Sequence, residues 1–243
     1  MDTTLNYSGI SPQTDPFKPD GTFDQVITTA YARKRERRNG HVSFLAQERI
    51  HGPGTIPASA YQIISGYIVL SIPMPEEARI VAILGAGDYF GRPDADTTLY
   101  QAEALTPVTA RVIGAGATRT DLIAANLSLQ SQIDAAFLHC AVISHFAPID
   151  RLAEFLTRWA RRYSKELLAP CGEKQQPFAI HVPLRQRQIA NYLSMKSETM
   201  CRAFTELRRR NLIQTSPRSR CAIRINDFRA LEALSAAGIR SSR

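Results

Sequence analysis

The pattern of apolar and polar positions divides the chain into regions of different character. From His41 to Gly114, short apolar segments alternate with glycine and proline, which is typical of strands joined by tight turns. The segments are Tyr61–Ile64, Tyr67–Ile72, Arg79–Leu84 and Val108–Ile113. Their spacing predicts a small antiparallel barrel or roll, with four glycines in turns that require positive φ. These glycines are Gly66, Gly85, Gly87 and Gly91.

A helical pattern follows Gly116, where apolar residues recur in alternating steps of four and three. The residues of this apolar seam are Leu129, Ile133, Ala136, Cys140 and Ile143. A repeat of about 3.5 residues is typical of a helix that pairs with another helix. The pattern predicts a long helix over 118–147 that pairs with a second copy of itself, and packing against its own roll is the alternative.

The residues after this helix predict a compact helical domain with a two-stranded wing. Pro148 is favoured in a first helical turn, so a new helix is expected to begin there. Residues 186–205 have the pattern of two short helices that cross around a shared apolar core. That core would comprise Ile189, Leu193, Met200 and Phe204, with the small Ala190 at the crossing.

Beyond residue 210, two apolar segments flank a basic tip and predict the strands of the wing. They are Leu212–Ile213 and Cys221–Ile225. We expect a last helix from Asp227 to about Ala237, with Asn226 as its N-cap and Gly238 at its end. The expected fold is α+β, with an arm at 1–40, a roll at 41–117, the long helix at 118–147 and a winged helix-turn-helix at 148–243.

The positive charge of the chain is concentrated in its last quarter. The net charge is +8, yet residues 181–243 hold 13 Lys and Arg against 4 Asp and Glu, while residues 1–180 hold 17 against 18. A basic module joined to a neutral body is typical of nucleic-acid-binding proteins, because binding a polyanion releases condensed counterions. An acidic membrane surface is the weaker alternative.

The second short helix carries the residues that we expect to read DNA bases. Arg202 can donate two hydrogen bonds to guanine, and Glu198 can accept one from cytosine. Cys201 and Ser197 are expected on the same face. The predicted phosphate contacts are Gln186, Arg187, Lys196, Thr199, Arg218 and Arg220.

Signals for metal binding, catalysis or membrane insertion are poor. The four cysteines are too widely spaced for a CxxC pair, and the five histidines form no HxxxH or HExxH pair. There is no glycine-rich phosphate loop, no GxSxG and no apolar run near the ~20 residues of a membrane helix. We therefore expect a cytoplasmic protein that is not an enzyme and carries neither metal nor cofactor.

Three stretches resemble the Crp/Fnr superfamily of bacterial transcription regulators. Gln188–Leu193, Glu198–Arg202 and Asn211–Ile213 are similar to its IAxYL, ETxxR and GLI patterns. The turn at Gly87–Gly91 resembles its effector domain. The resemblance covers roughly residues 40–238 and implies a cyclic-nucleotide-binding-like roll, a dimerisation helix and a winged helix-turn-helix. Its implied partners are double-stranded DNA, a second copy of the chain and RNA polymerase.

Departures from the family pattern narrow the expected function. Members that bind cyclic AMP carry Gly-Glu followed about ten residues later by Arg-Ser, whereas Gly91 is followed here by Arg92-Pro93 and residues 96–101 contain no arginine. The first 139 residues contain no cysteine, which argues against the iron–sulfur cluster of oxygen-sensing relatives. The remaining resemblance is to FixK-like regulators. This resemblance implies a palindromic DNA site with TTGA-type half-sites.

Two alternatives concern how DNA binding is controlled. Cys201 differs from the serine common in that branch. If its thiol were oxidised, the negative charge gained beside Arg202 would repel DNA phosphates. The other interpretation is that Cys201 makes a small apolar contact. The rival function is an effector-dependent sensor whose roll binds a small molecule or heme and gates DNA binding. Ser194 also replaces the usual turn glycine, and Arg185 replaces the usual Ser or Thr cap.

Overall fold

A computed structural model of the chain describes residues 40–54, 59–91, 98–114, 117–164, 177–216 and 221–241, with side chains described as far as Ser235. The arm expected before Gly40 lies outside these residues. So do Arg92 and two of the predicted phosphate contacts, Arg218 and Arg220. None of the described helices is both long enough and apolar enough to span a bilayer.

The predicted roll is present as two four-stranded antiparallel sheets. The first has the order β1 (His41–Phe44), β8 (Val108–Ile113), β3 (Ala60–Ser65) and β6 (Tyr89–Phe90). The second has the order β2 (Arg49–His51), β7 (Gln101–Ala104), β4 (Ile68–Ile72) and β5 (Arg79–Leu84). Alternating side chains of both sheets enclose one core, in which Phe44, Ile63 and Ile68 are almost fully buried. The four predicted apolar segments became β3, β4, β5 and β8, and the shorter strands were not predicted.

Three of the four turn glycines have the expected backbone, and one prediction was wrong. Gly66, Gly87 and Gly91 have φ of 88°, 90° and 86°. Gly85 does not have positive φ; it is buried, and a Cβ at this position would lie 2.7 Å from Cε1 of Tyr163. Close packing against a tyrosine ring, rather than backbone conformation, favours glycine there.

The long helix α1 spans Arg119–His145, slightly shorter than the predicted 118–147. Thr118 caps it reciprocally with Asp121: the Thr118 hydroxyl accepts from the Asp121 amide, and Asp121 accepts from the Thr118 amide. Arg111 of β8 pairs with Asp121 at 2.7 Å, and the Gln132 side chain donates to the Tyr89 carbonyl at 3.0 Å. These contacts fix the helix along the roll.

Helix α2 (Pro148–Tyr163) begins at the predicted proline, and the domain that follows is a winged helix-turn-helix. Its helices are α3 (Gln186–Tyr192), α4 (Ser197–Arg209) and α5 (Phe228–Ser241). The wing strands β10 (Ile213–Thr215) and β11 (Ala222–Ile225) are antiparallel, and an unpredicted strand, β9 (Phe178–His181), completes their sheet. The four predicted core residues of α3, α4 and their turn are each at most 2% exposed.

The predicted ends of the last helix were wrong. Asp227, not Asn226, caps α5, because its carboxylate accepts from the amide of Ala230 at 2.9 Å. Asn226 instead donates its side-chain amide to Asn211. The helix also continues past Gly238 to Ser241, since a glycine lowers helix propensity without requiring a helix end.

Candidate nucleic-acid interface

Helix α4 presents one buried and one exposed face. Met200, Ala203, Phe204 and Leu207 are buried against the rest of the domain. Their spacing of three and four residues leaves the opposite side of the helix in solvent. The structure places Ser197, Glu198, Cys201 and Arg202 on this exposed side.

Glu198 and Arg202 are four residues apart, so they lie one turn apart on the same surface of α4. Neither side chain forms a hydrogen bond or an ion pair within the described part of the chain. A carboxylate acceptor and a planar five-donor guanidinium are therefore both available on one exposed helix. Such a pair can distinguish base pairs by their hydrogen-bonding groups in a major groove.

Polar side chains, most of them exposed, lie near this pair. Gln186 and Arg187 are exposed in the first turn of α3, Lys196 is exposed immediately before α4, and Thr199 is half-buried. The Cys201 thiol lies 3.9 Å from Oε1 of Gln186, so the beginning of α3 is adjacent to the exposed side of α4. Arg187 is not free, because its guanidinium pairs with Glu77 at 3.1 Å.

The three consecutive arginines at the end of α4 differ in their partners. Arg209 and Arg210 both donate to Glu206 at 2.7–2.8 Å, and these hydrogen bonds lower the pKa of the Glu206 carboxyl to about 2. Arg208 donates instead to the Thr205 hydroxyl at 3.0 Å. Glu206 therefore offsets part of the positive charge at this end of the helix.

The end of α3 and the turn that follows it are held by the roll, a contact that sequence reasoning missed. The side-chain amide of Asn191 accepts from the Ile80 amide at 2.8 Å and donates to the Ala78 carbonyl at 3.1 Å. Arg79 donates to the hydroxyl of Ser194, whose φ is 57°. We call these three hydrogen bonds the hairpin clamp, since Ala78–Ile80 lie at the start of β5 in the β4–β5 hairpin.

One face of α1 remains uncovered within the described part of the chain. Leu129 and Ile133 are 48% and 53% exposed, Ala136 and Cys140 are exposed, and Ile143 is half-buried. Further large apolar side chains lie exposed on the same helix: Leu122, Ile123, Leu127 and Phe137. Exposed apolar side chains in such number on one helix indicate a binding surface.

Comparisons with known proteins agree with this geometry. Residues 150–234 match the family described as the Crp-like helix-turn-helix domain. The nitrogen fixation regulation protein FixK of Bradyrhizobium diazoefficiens is 26% identical over 223 residues, covering 84% of this chain and 91% of that protein.

Two solved structures have the same fold. FixK2 from Bradyrhizobium japonicum superposes with a TM-score of 0.65 at 22% identity, over 80% of this chain and 96% of that one. TTHA1359 from Thermus thermophilus, a transcriptional regulator of the CRP/FNR family, gives 0.64 at 19% identity, over 81% and 98%. The resemblance seen in the sequence is confirmed: residues 150–234 form a Crp-like helix-turn-helix domain, the chain has the fold of these two structures, and its similarity to FixK supports a DNA-binding transcription regulator.

Proposed function

We propose that the protein is a homodimeric, sequence-specific regulator that reads a palindromic DNA site with TTGA-type half-sites. The observation that carries this proposal is the pair of exposed side chains Glu198 and Arg202 on α4, neither of which is paired with another described residue. Arg202 would donate to O6 and N7 of guanine, and Glu198 would accept from the amino group of cytosine. Ser197 and Cys201 would lie against neighbouring bases.

The phosphate contacts would come from the rim of this surface. Gln186, Arg187 and Lys196 lie beside α4, Thr199 lies in its first turn, and Arg218 and Arg220 fall between the two wing strands in the sequence. Contacts of this kind fix the register of a protein on duplex DNA without reading its sequence. Arg187 would exchange Glu77 for a phosphate oxygen.

The exposed seam of α1 supports pairing of two copies. A symmetric dimer would place two α4 helices in successive major grooves, about 34 Å apart, which is the spacing that a palindromic site requires. DNA bound in this way would leave the outer surfaces of the dimer accessible to RNA polymerase, the further partner that we propose.

Control by cyclic AMP or by an iron–sulfur cluster does not form part of this proposal. Arg92-Pro93 follows Gly91, and residues 96–101 lack an arginine that could hold a cyclic phosphate. The first 139 residues contain no cysteine for a cluster.

Oxidation of Cys201 is proposed as one means of control. The thiol is exposed and lies on the same face as Arg202, so conversion to a sulfenic or sulfinic acid by peroxide would add polar, and then negative, oxygen beside the DNA. Peroxide should abolish operator binding of the wild type and spare Cys201→Ala. Equal sensitivity of the two proteins would reject this control.

Fluorescence anisotropy with short labelled duplexes tests the proposed function. A duplex with two inverted TTGA half-sites one helical turn apart should bind at least about a hundredfold more tightly than a scrambled duplex at the same salt concentration. Changing the spacing by half a turn should remove most of this preference, because it turns one half-site to the opposite side of the DNA. Equal affinity for all three duplexes would refute the proposal.

A further inference from the structure

A cavity of about 430 Å³ lies between α1, α2 and the end of α3. Much of its wall is apolar or aromatic: Ile83, Leu138, Val142, Phe155, Trp159 and Tyr192. Its volume falls within the ~300–1,000 Å³ that is typical of small-molecule sites. None of the residues of the proposed DNA-reading surface lines this cavity.

The charged side chains on the cavity wall differ in whether they have hydrogen-bond or ion-pair partners. Four arginines line the cavity, against the two carboxylates of Asp134 and Glu154. Arg151 donates to three main-chain carbonyls, Arg161 pairs with Glu232, and Arg162 pairs with Asp88.

Arg158 is the exception among these four arginines. It forms no hydrogen bond with any described residue, and its contact with Glu154 is long, at 3.9 Å. Glu154 is also occupied, because it accepts from the Ser235 hydroxyl. The cavity wall therefore carries a guanidinium whose donors are largely unused.

The imidazole of His139 also lies on the cavity wall. It is 8% exposed, and its ring stacks on that of Tyr192 with centroids 4.1 Å apart and planes 11° apart. Burial, together with the positive charges of Arg158 and Arg79, lowers the pKa of His139 to about 4. The imidazole is therefore neutral at pH 7, and the wall charges that no described residue pairs closely are those of Arg158 and of Asp134, which lies exposed on α1.

Pairing of α1 through its apolar seam would leave this cavity accessible. If the seam residues take the a and d positions of a heptad, the α1 residues of the cavity wall fall at b, c, f and g. They include Ser131, Asp134, Ala135 and Leu138. A second copy seated on the seam would therefore lie on a different side of the helix.

We propose that the cavity binds a small amphipathic anion, with a ring-containing apolar body against Trp159 and Tyr192 and an acid group on Arg158. Apolar walls with one unsatisfied cationic donor group suit such a molecule, since its body is removed from water while its charge remains paired. Tyr192 is the last residue of α3, so the bound anion would also touch the helix-turn-helix domain. The binding site does not depend on the proposed DNA sequence, and it can be tested without DNA.

Two fluorescent probes separate the anionic contribution from the apolar one in the full-length protein. 1-Anilinonaphthalene-8-sulfonate carries an acid group, and N-phenyl-1-naphthylamine has the same ring system without it. The sulfonate should bind at one site per chain and more tightly than the neutral probe. Arg158→Gln should weaken sulfonate binding about tenfold, the loss of one charge-assisted contact, and change binding of the neutral probe less than about twofold.

Three further variants keep the test decisive. Arg158→Lys retains the charge and should keep most of the sulfonate affinity. Ala135→Leu should fill the cavity and weaken the binding of both probes. Arg119→Gln removes an exposed arginine outside the cavity and should change the binding of neither probe. The proposal is overturned if Arg158→Gln leaves sulfonate binding at the wild-type level, if Arg119→Gln weakens it equally, or if Ala135→Leu affects neither probe.

Discussion

At the scale of single residues, Gly85 allows the roll and α2 to approach each other because glycine has no side chain. The side chain of Tyr163 lies against Gly85, where a Cβ would meet two ring carbons and the hydroxyl oxygen within 3.0 Å. The sequence pattern correctly marks Gly85 as a position between strands, but the reason for glycine comes from a residue 78 positions away. Such a long-range packing constraint has no local signal.

Gly85→Ala is expected to destabilise the fold by about 1–3 kcal/mol, because the added methyl group displaces a buried tyrosine ring. Urea unfolding should show a lower midpoint with an unchanged slope. Gly114→Ala is the matched control, since a Cβ at Gly114 meets nothing within 4 Å. Equal stability of the two variants would show that the Tyr163 contact does not constrain position 85.

Arg202→Ala is expected to lose discrimination at one base pair in each half-site, at a cost of about 1–3 kcal/mol per contact. A panel of duplexes with single base changes should show that one position no longer affects the affinity. Arg49→Ala removes an exposed arginine from β2 and should leave the whole profile unchanged. Uniform weakening on every duplex would instead assign Arg202 to a phosphate.

At the scale of elements, the hairpin clamp joins the roll to the helix-turn-helix. Asn191→Ala removes the two hydrogen bonds that its side-chain amide forms with the main chain at Ile80 and Ala78. The loss should cost about 1–3 kcal/mol in the free energy of unfolding, because it leaves two partly buried main-chain groups without these partners.

Asn191→Asp is the matched variant for this test. It keeps an oxygen that can accept from the Ile80 amide, but its second carboxylate oxygen would face the Ala78 carbonyl oxygen, so this variant should be destabilised as well. Equal stability of Asn191→Ala and the wild type in urea would mean that the clamp contributes nothing to the fold.

His139 makes the packing of α1 against α3 sensitive to acid. Its pKa is about 4 in the folded protein, against an ordinary value of 6.5, so the unfolded chain binds a proton more readily between these values. Proton uptake by His139 in the unfolded chain therefore lowers the free energy of unfolding as the pH falls from about 6.5 to 4. At pH 4.5 this loss is about 2–3 kcal/mol.

Urea unfolding at pH 7.5 and pH 4.5 checks this expectation. His139→Gln carries no titrating ring, so its loss of stability between the two pH values should be smaller than that of the wild type. Parallel losses in both proteins would show that other groups account for the acid sensitivity.

The elements themselves could largely be predicted, since strand alternation, the 3.5-residue seam and Pro148 are local signals. The short strands β2 and β6 could not, because three and two residues carry too little periodicity and are strands only through their partners. The candidate site also combines features that the sequence predicts with features that it does not. Exposure of Glu198 and Arg202 follows from the spacing of Met200 and Phe204, whereas the hairpin clamp joins residues more than 100 positions apart.

At the scale of the whole molecule, the account requires two copies joined by α1. Ile133→Glu places a carboxylate in the exposed apolar seam, and in a dimer it would be buried opposite its own copy. Sedimentation velocity should show a dimer for the wild type and a monomer for the variant, with much weaker binding to the palindrome.

Thr120→Glu is a suitable control, because residue 120 is already polar and exposed on the same helix and falls at a b position of the same heptad, outside the seam. It should leave the mass at that of the dimer. A dimeric Ile133→Glu protein, or a monomeric wild type at micromolar concentration, would show that the seam does not hold two copies together.

Selection of bound duplexes from a random pool by purified full-length protein tests the central claim most directly. The account predicts enrichment of an inverted repeat with TTGA-type half-sites, whose guanine positions lose their information when Arg202→Ala replaces the wild type. Enrichment of no sequence, of a single half-site, or of the same repeat at full strength by Arg202→Ala would contradict it.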